Sequence, residues 1–263
     1  MYNDSYSSAT MKPTPANPLQ ALWIMCQTIV IMIRSCLPTV IKQTFNRVDM
    51  SWVNEEITRW SSRLLAAAHI DYRIDNPHQV TLKPGVAYII MCNHTSHYDI
   101  PLSIIAFPNQ PVRMLAKQEL KKVPLMGKAM DAAKFPFINR HDRQQAIQDL
   151  SIVKTYMQQD GIIIWIAPEG TRSADGALGS FKKGGFITAI QTKAQIIPIG
   201  IHGADKVLPA KTWRFCLHQP VTVQIGQPID AGQYNLKNKN ELMQKVRSAI
   251  SELSRPDTGD DSH

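Results

Sequence analysis

The sequence predicts an α/β domain whose sheet is covered by helices on both faces. Two apolar runs, residues 86–92 and 162–166, have almost no polar side chain, as expected for strands that are buried on both sides. Each run breaks abruptly into a cluster of polar residues. Segments with helical periodicity alternate with the predicted strands, and this alternation is typical of an α/β sheet.

Length and composition limit the class of protein. With 263 residues, of which 44% are hydrophobic, the chain can bury one sizeable core. The net charge of +8 favours an anionic partner such as nucleic acid, anionic lipid or a phosphorylated substrate. Only 7% of residues are aromatic and no nucleic-acid-binding motif is present, so we expect no nucleic acid. The four cysteines have no paired spacing, which predicts reduced thiols in a reducing compartment.

The amino-terminal region is predicted to contact a membrane. Residues 1–18 are rich in Ser, Asn, Thr and Pro, and we expect them to be disordered. Residues 19–33 are the most apolar segment, but as a helix they reach only about 22 Å, short of a bilayer core of about 30 Å. Arg34 and Pro38 are expected to interrupt this helix, so that it dips into one leaflet, although an extension to Ile41 would allow crossing. A helix packed in the core of the domain is the alternative.

A second helix is predicted over residues 51–69, where Ile57, Trp60 and Leu64 share one face. Tryptophan beside arginine is typical of a membrane interface, although packing against the first helix explains the same pattern. We therefore expect residues 19–69 to form an amphipathic two-helix motif that docks on a membrane. The α/β domain would cover residues 70–254, and residues 255–263 would form a disordered acidic tail.

The remaining elements follow from periodicity and turn residues. Strands are predicted over residues 72–75, 86–92, 112–116, 135–138, 162–166, 196–201, 215–217 and 221–225. One helix is expected to begin after Asp142, which can cap it, and to end at Gly161. Two more helices are predicted over residues 185–192 and 240–253.

His94 and Asp99 stand in the polar cluster after the first buried strand, at the end where α/β sheets bind their ligands. Two residues five positions apart on a helix point about 140° away from each other. The two side chains therefore meet only if His94 lies on the loop and Asp99 begins a helix. Ser96 is the expected cap of that helix. The carboxylate would fix the imidazole tautomer and leave the other ring nitrogen as a general base. The pair alone carries little information, because chance also produces this spacing, and a loop histidine bonded to the backbone is the alternative.

A second polar cluster changes this interpretation. It follows residues 162–166 and reads Ala167-Pro168-Glu169-Gly170-Thr171-Arg172-Ser173. Together with Asn93-His94-Thr95-Ser96-His97-Tyr98-Asp99, it resembles the glycerophospholipid acyltransferase family, whose best-known members are the 1-acylglycerol-3-phosphate acyltransferases. The resemblance covers roughly residues 70–230. It extends to two further segments, Phe137-Ile138-Asn139-Arg140 and Ile196-Ile197-Pro198-Ile199.

The resemblance implies a mixed, largely parallel sheet with both polar loops flanking one cleft. It also implies direct transfer of a fatty acyl group from acyl-CoA or acyl carrier protein to the free hydroxyl of a lysophospholipid. The expected acceptor is 1-acylglycerol-3-phosphate, which gives phosphatidic acid, and another lysolipid is the alternative. No cofactor and no metal are expected. We expect the enzyme to be associated with the cytoplasmic face of a membrane.

The same resemblance assigns roles to individual residues. His94, oriented by Asp99, would take the proton of the attacking hydroxyl. Arg172, supported by Arg140, would bind the phosphate of the acceptor, because guanidinium groups match phosphate oxygens. The N–H of Gly170 is a candidate donor to the developing oxyanion. Three residues of the second cluster would shape the acceptor site: Glu169, Gly170 and Thr171.

Two interpretations from other classes stay open. His94, His97 and Asp99 would suit the metal of a hydrolase, since His-x2-His with a carboxylate is a plausible ligand set. The second interpretation is a lipid-carrying module with an inactive site, although the complete set of motif residues argues against it. The chain also departs from the family at Lys134, where the second motif usually opens with glycine. This departure leaves the loop conformation and the choice of acceptor open.

Overall fold

Within residues 12–173 and 175–255, which the computed structural model describes, a seven-stranded sheet forms the centre of the protein. The strands are β1 (Thr14–Pro15), β2 (Asp71–Asp75), β3 (Tyr88–Cys92), β4 (Val112–Met114), β5 (Ala116–Lys117), β6 (Phe137–Ile138), β7 (Ile163–Ile166), β8 (Gln195–His202), β9 (Cys216–Leu217), β10 (Pro220–Ile225) and β11 (Ile229–Asp230). The helices are α1 (Pro18–Thr44), α2 (Met50–Ala67), α3 (Asp99–Ile105), α4 (Met126–Ala132), α5 (Arg143–Gln159), α6 (Lys183–Thr192), α7 (Ala204–Val207) and α8 (Lys239–Leu253).

The sheet is mixed and largely parallel, which confirms the predicted fold class. Its strand order is β2-β10-β8-β3-β7-β4, and β11 also pairs with β8. Strands β8, β3, β7 and β4 run parallel, whereas β10 is antiparallel to β8 and parallel to β2. The strand β3 therefore lies in the middle of the sheet, and all of its residues are buried.

Successive side chains of the central strands enter two hydrophobic cores on opposite faces of the sheet. Ile90 of β3 and Trp165 of β7 lie in the core that α1, α2 and α3 cover. Ile89 and Ile164, their neighbours in sequence, lie in the core that α5, α6 and α8 cover. This alternation explains why both strands are apolar along their whole length.

The amino-terminal segment differs in part from the prediction. The disorder expected for residues 1–11 and 256–263 lies outside the described residues. Residues 12–18, also expected to be disordered, are ordered: β1 pairs antiparallel with β9. Asn17 then forms a capping box with Gln20 at the start of α1. A short segment with proline can still pair at the edge of a sheet, which the low hydrophobicity of this segment did not predict.

Helix α1 is longer than predicted, and the expected interruption at Arg34 and Pro38 is wrong. Its 27 residues make it about 40 Å long, more than the bilayer core of about 30 Å. The helix continues past Pro38 because packing outweighs one lost hydrogen bond. Ser35 donates a hydrogen bond of 2.8 Å to Glu56 of α2. The length of α1 therefore permits a membrane crossing. Only 22% of its most apolar 18-residue window is buried.

The two amino-terminal helices are not separate from the α/β domain. Ile24 of α1 and Leu65 of α2 lie in the same core as the central strands. Arg113 of β4 is fully buried and donates hydrogen bonds to Asn54 of α2 at 2.8 Å and to the carbonyl of Ala133 at 2.6 Å. Burial lowers the pKa of this guanidinium to about 9. The expected boundary between residues 69 and 70 is thus not a boundary of the hydrophobic core.

Candidate active site

The candidate site lies where β3 and β7 end side by side. The two strands are parallel, with Met91 opposite Ile166. The loops that follow them therefore leave the sheet at the same edge. These loops are in contact, because the N–H of Ser173 donates to the carbonyl of His94 at 2.7 Å. The fold thus brings together the two polar clusters of the sequence.

His94 and Asp99 form a hydrogen-bonded pair, with Nδ1 of the ring 2.9 Å from Oδ2 of the carboxylate. Asp99 is fully buried in the first turn of α3, as the spacing of the two residues requires. The same oxygen accepts the N–H groups of Thr95 at 2.7 Å and Ser96 at 2.8 Å. Three donors on one oxygen fix the ring, which leaves Nε2 without a partner among the described residues. The side chain of His94 is 15% exposed, so it is not sealed inside the protein.

The expected capping role of Ser96 is wrong. Tyr98 occupies the cap position of α3, with no side-chain hydrogen bond to the helix. The Ser96 hydroxyl instead donates to the carbonyl of Leu208 at 3.1 Å. The loop before α3 is therefore organised by the carboxylate of Asp99 and not by a serine cap.

Asn93 anchors the loop that carries His94 to the neighbouring strand β8, a role the sequence reasoning missed. Its buried side chain donates to the carbonyl of Ile201 at 2.7 Å and accepts the N–H of the same residue at 2.8 Å. The sequence does indicate this role, because Asn93 comes directly after a buried strand, where a polar side chain must find hydrogen-bond partners. The ring of Trp165 meets the His94 ring edge-on, with centroids 5.6 Å apart.

Glu169 holds both loops through the main chain. It is only 4% exposed. Its Oε1 accepts the N–H of His94 at 3.0 Å, and its Oε2 accepts the N–H of Gly179 at 2.7 Å. Burial raises the pKa of this carboxyl, although these two N–H groups and the nearby Arg247 oppose the rise. Glu169 thus determines the distance between the two loops.

Gly170 turns the second loop toward Arg140. Its φ of +77° is a conformation that favours glycine. Its N–H donates to the carbonyl of Ala167 at 3.0 Å, so it is already paired, and the expected oxyanion role is not supported. Its carbonyl accepts a hydrogen bond from Arg140. Thr171 is exposed and lines, together with Arg140 and Gly170, a groove of about 1150 Å³.

Arg172 lies on the side of the second loop that faces His97. The guanidinium has no hydrogen bond or ion pair within residues 12–173 and 175–255. Burial lowers the pKa of His97, and the positive charge of Arg172 lowers it further. The candidate site therefore offers an unpaired cation beside the His94–Asp99 pair.

The ligand set of a metal-dependent hydrolase does not form. In the described part of the chain, no three His, Cys, Asp or Glu side chains are placed to share a metal ion. One nitrogen of His94 is bonded to Asp99, and His97 does not join them. The geometry therefore gives no support to the hydrolase interpretation.

Lys134 adopts a left-handed backbone conformation, which favours glycine. Its φ is +60°. Its side chain pairs with Asp160, which precedes β7 in the chain. The ammonium group therefore lies at the amino end of that strand, and the His94–Asp99 pair lies beyond the carboxyl ends.

The fold and the paired loops agree with comparisons to known proteins. Residues 73–202 match a family model described as Acyltransferase. An uncharacterized acyltransferase of Schizosaccharomyces pombe is 30% identical over 190 residues, which cover 71% of this chain and 67% of that protein. The chain therefore belongs to the acyltransferase family, and the resemblance of its motifs is confirmed.

Within this family, several relatives are named 1-acyl-sn-glycerol-3-phosphate acyltransferase, and this chain is an enzyme similar to them. The one from Saccharomyces cerevisiae is 31% identical over 186 residues, which cover 69% of this chain and 59% of that protein. The chloroplastic one from Arabidopsis thaliana is 29% identical, and the match spans only 44% of its length. The crystal structure of a 1-acyl-sn-glycerophosphate acyltransferase from Thermotoga maritima has the same fold. It aligns with a TM-score of 0.72 at 24% identity, over 91% of this chain and 97% of that one.

Proposed function

We propose that this enzyme transfers a fatty acyl group from an acyl thioester to the free hydroxyl of a lysophospholipid. The expected acceptor is 1-acylglycerol-3-phosphate and the product phosphatidic acid. The observation that carries this proposal is the His94–Asp99 pair, 2.9 Å apart and held by main-chain donors at the edge of the sheet. The names of the curated relatives support the choice of acceptor.

The chemistry needs a base because an alcohol is a poor nucleophile. Nε2 of His94 takes the hydroxyl proton as the oxygen attacks the thioester carbonyl. The tetrahedral intermediate collapses with cleavage of the C–S bond, and the departing thiolate takes the proton back from the imidazolium. Asp99 stabilises the imidazolium and keeps Nδ1 protonated. Neither a serine nor a cysteine nucleophile takes part.

Cationic side chains supply the binding of the phosphate group. Arg172 has a free guanidinium next to the histidine loop, and Arg140 reaches the carbonyl of Gly170 from the other side. Guanidinium groups bind phosphate oxygens in a fixed geometry and keep their charge at all relevant pH values. The phosphate of the acceptor would therefore lie near the second loop. The free hydroxyl of the acceptor would point toward His94.

Apolar surfaces supply the contacts for the lipid chains. A cavity of about 120 Å³ lies between α1, α2, α3 and α4, and Met32, Trp60, Met130 and Phe135 are among its lining residues. Its wall includes α3, the helix that begins with Asp99, and its volume suits a few methylene groups of an acyl chain.

The outer face of α1 supports docking on a membrane. Eight large apolar residues on it are exposed: Leu19, Leu22, Trp23, Ile29, Val30, Ile33, Leu37 and Ile41. All four cysteines are free thiols, in accord with a cytoplasmic location. We expect the helix to be associated with the cytoplasmic leaflet.

The test is a panel of lysolipid acceptors offered to the purified enzyme with either acyl-CoA or acyl carrier protein. We expect transfer to lysophosphatidic acid, and His94→Ala should lower kcat at least about 100-fold because general base catalysis contributes about 10²–10⁴. His78→Ala, in an exposed loop after β2, is the matched control. The base assignment fails if His94→Ala retains more than a tenth of the wild-type rate while both variants stay folded. Transfer to none of the acceptors would refute the proposed function itself.

A further inference from the structure

The carboxyl-terminal helix α8 reaches the second loop through one arginine. Arg247 donates two hydrogen bonds to consecutive carbonyl groups, from Nη2 to Leu178 at 2.7 Å and from Nη1 to Gly179. Its guanidinium carbon also lies 5.2 Å from the centre of the Phe181 ring. A planar group with several donors is suited to holding two carbonyls at once. This arginine therefore fixes the segment 178–181 against the helix.

The fixed segment leads directly to the histidine. Gly179, whose carbonyl Arg247 holds, donates its N–H to Oε2 of Glu169 at 2.7 Å. The other oxygen of Glu169 accepts the N–H of His94 at 3.0 Å. A side chain at position 179 would place its Cβ 3.1 Å from Oε2, so the carboxylate would have to shift by a few tenths of an ångström. Three consecutive contacts thus connect α8 to the main chain of the proposed base.

Charge supports the same connection. Glu169 is buried, and its two bonded partners are neutral N–H groups. A buried carboxylate is stabilised by a nearby positive charge, and Arg247 supplies one on the far side of Gly179. Removal of this arginine would both release the 178–181 segment and weaken the carboxylate that holds His94.

We propose that Arg247 is a positioning residue for acyl transfer. It fixes Gly179, Gly179 fixes Glu169, and Glu169 fixes the main chain of His94. Arg247 lies outside residues 73–202, which match the family model, so α8 completes the site as well as covering the core. This inference rests on the proposed function, because its effect is on the rate of that reaction.

The experiment compares Arg247→Ala, Arg247→Lys and the control Lys245→Ala, an exposed residue of the same helix. Displacement of a catalytic group by about 1 Å can cost about 100-fold, so we expect Arg247→Ala to lower kcat about 10- to 100-fold. Arg247→Lys should recover part of this loss, because an ammonium can reach one carbonyl but not hold both in a planar fork. Lys245→Ala should leave kcat unchanged.

A double-mutant cycle with Glu169→Gln separates positioning from general destabilisation. If Arg247 acts through Glu169, the double variant is as slow as Glu169→Gln alone. If Arg247 only stabilises the fold, the two losses multiply, and the inference is overturned. A kcat for Arg247→Ala within threefold of wild type also overturns it.

Amide hydrogen exchange gives a readout that does not need turnover. In Arg247→Ala, peptides that contain residues 178–181 and 93–96 should exchange faster, while β8 stays protected. Unchanged exchange at residues 93–96 would contradict the proposed connection between Arg247 and His94. This outcome does not depend on which acceptor the enzyme acylates. Absence of acyl transfer by the wild-type enzyme would instead refute the proposed function and leave the exchange result to decide on Arg247.

Discussion

Replacing Asp99 by asparagine removes a charge while keeping the shape of the side chain. The amide oxygen can still accept the three hydrogen bonds that Oδ2 now accepts, from the His94 ring and the two loop N–H groups. The amide nitrogen would take the place of Oδ1, which has no partner among the described residues. The substitution therefore tests the charge of the pair separately from its geometry.

The expected effect follows from the distance between the two groups. In the proposed reaction an imidazolium forms with its Nδ1 2.9 Å from the carboxylate oxygen. Two unit charges at this separation attract each other by about 6 kcal/mol at an effective dielectric constant of about 20. The amide dipole retains part of this attraction, so we expect a loss of about 3–4 kcal/mol. This corresponds to a fall in kcat of about 10²–10³.

The assay is kcat at saturating donor and acceptor, measured together with the thermal unfolding midpoint. Asp230→Asn is the matched control, because its side chain accepts one main-chain N–H and one side-chain N–H at the amino end of β8, far along the strands from His94. We expect Asp99→Asn to lower the midpoint by no more than about 10 °C. A variant that keeps more than a tenth of the wild-type kcat would refute the role of the carboxylate charge.

Three further substitutions test other features of the fold and site. Burial raises the pKa of Glu56, but hydrogen bonds from Ser35 and two arginines outweigh it and leave the pKa lowered. The ionised form then stabilises the fold above the unfolded pKa of about 4.3, and this contribution is lost as pH falls through the lower folded value. Glu56→Gln should therefore be about 1–3 kcal/mol less stable than wild type in denaturant titrations at pH 7. The difference should shrink as the pH falls through the lowered folded pKa of Glu56, and a pH-independent difference would contradict this account. Lys134→Gly removes the backbone strain of a left-handed conformation but also removes the ion pair with Asp160. The free energy of unfolding should therefore change by less than about 1 kcal/mol, and acceptor preference should not change. A shift in acceptor preference would place the Lys134 side chain in the site. Arg172→Ala should raise KM for lysophosphatidic acid about 10- to 100-fold but not KM for monoacylglycerol, and equal effects on both would argue against a phosphate contact.

Features that depend on neighbouring residues in the chain were predicted well from the sequence. The buried strands β3 and β7 follow from their apolar runs, and the cap of α5 at Asp142 follows from residue type and spacing. The start of α3 at Asp99, with His94 on the preceding loop, is the arrangement that a contact between residues five apart requires, because they cannot share a helical face. Each of these predictions uses only local geometry.

Features that depend on distant partners could not be predicted. Helix α1 continues through Pro38 because it packs on α2, and residues 12–18 are ordered because β1 pairs with β9. The buried position of Arg113 depends on Asn54 and on the carbonyl of Ala133, neither of which is near it in sequence. Long-range contacts decide these cases, and residue patterns do not record them.

The hydrophobic core that α1 and α2 share with the central strands links the exposed outer face of α1 to the candidate active site. Lipid or detergent that covers the outer face of α1 should raise the melting temperature of the whole enzyme if it binds the folded state more tightly than the unfolded chain. Removal of the two helices would open the face of the sheet that carries Trp165, which touches His94. A water-soluble form of this enzyme is therefore better obtained by substituting the exposed residues of α1 than by removing the helix.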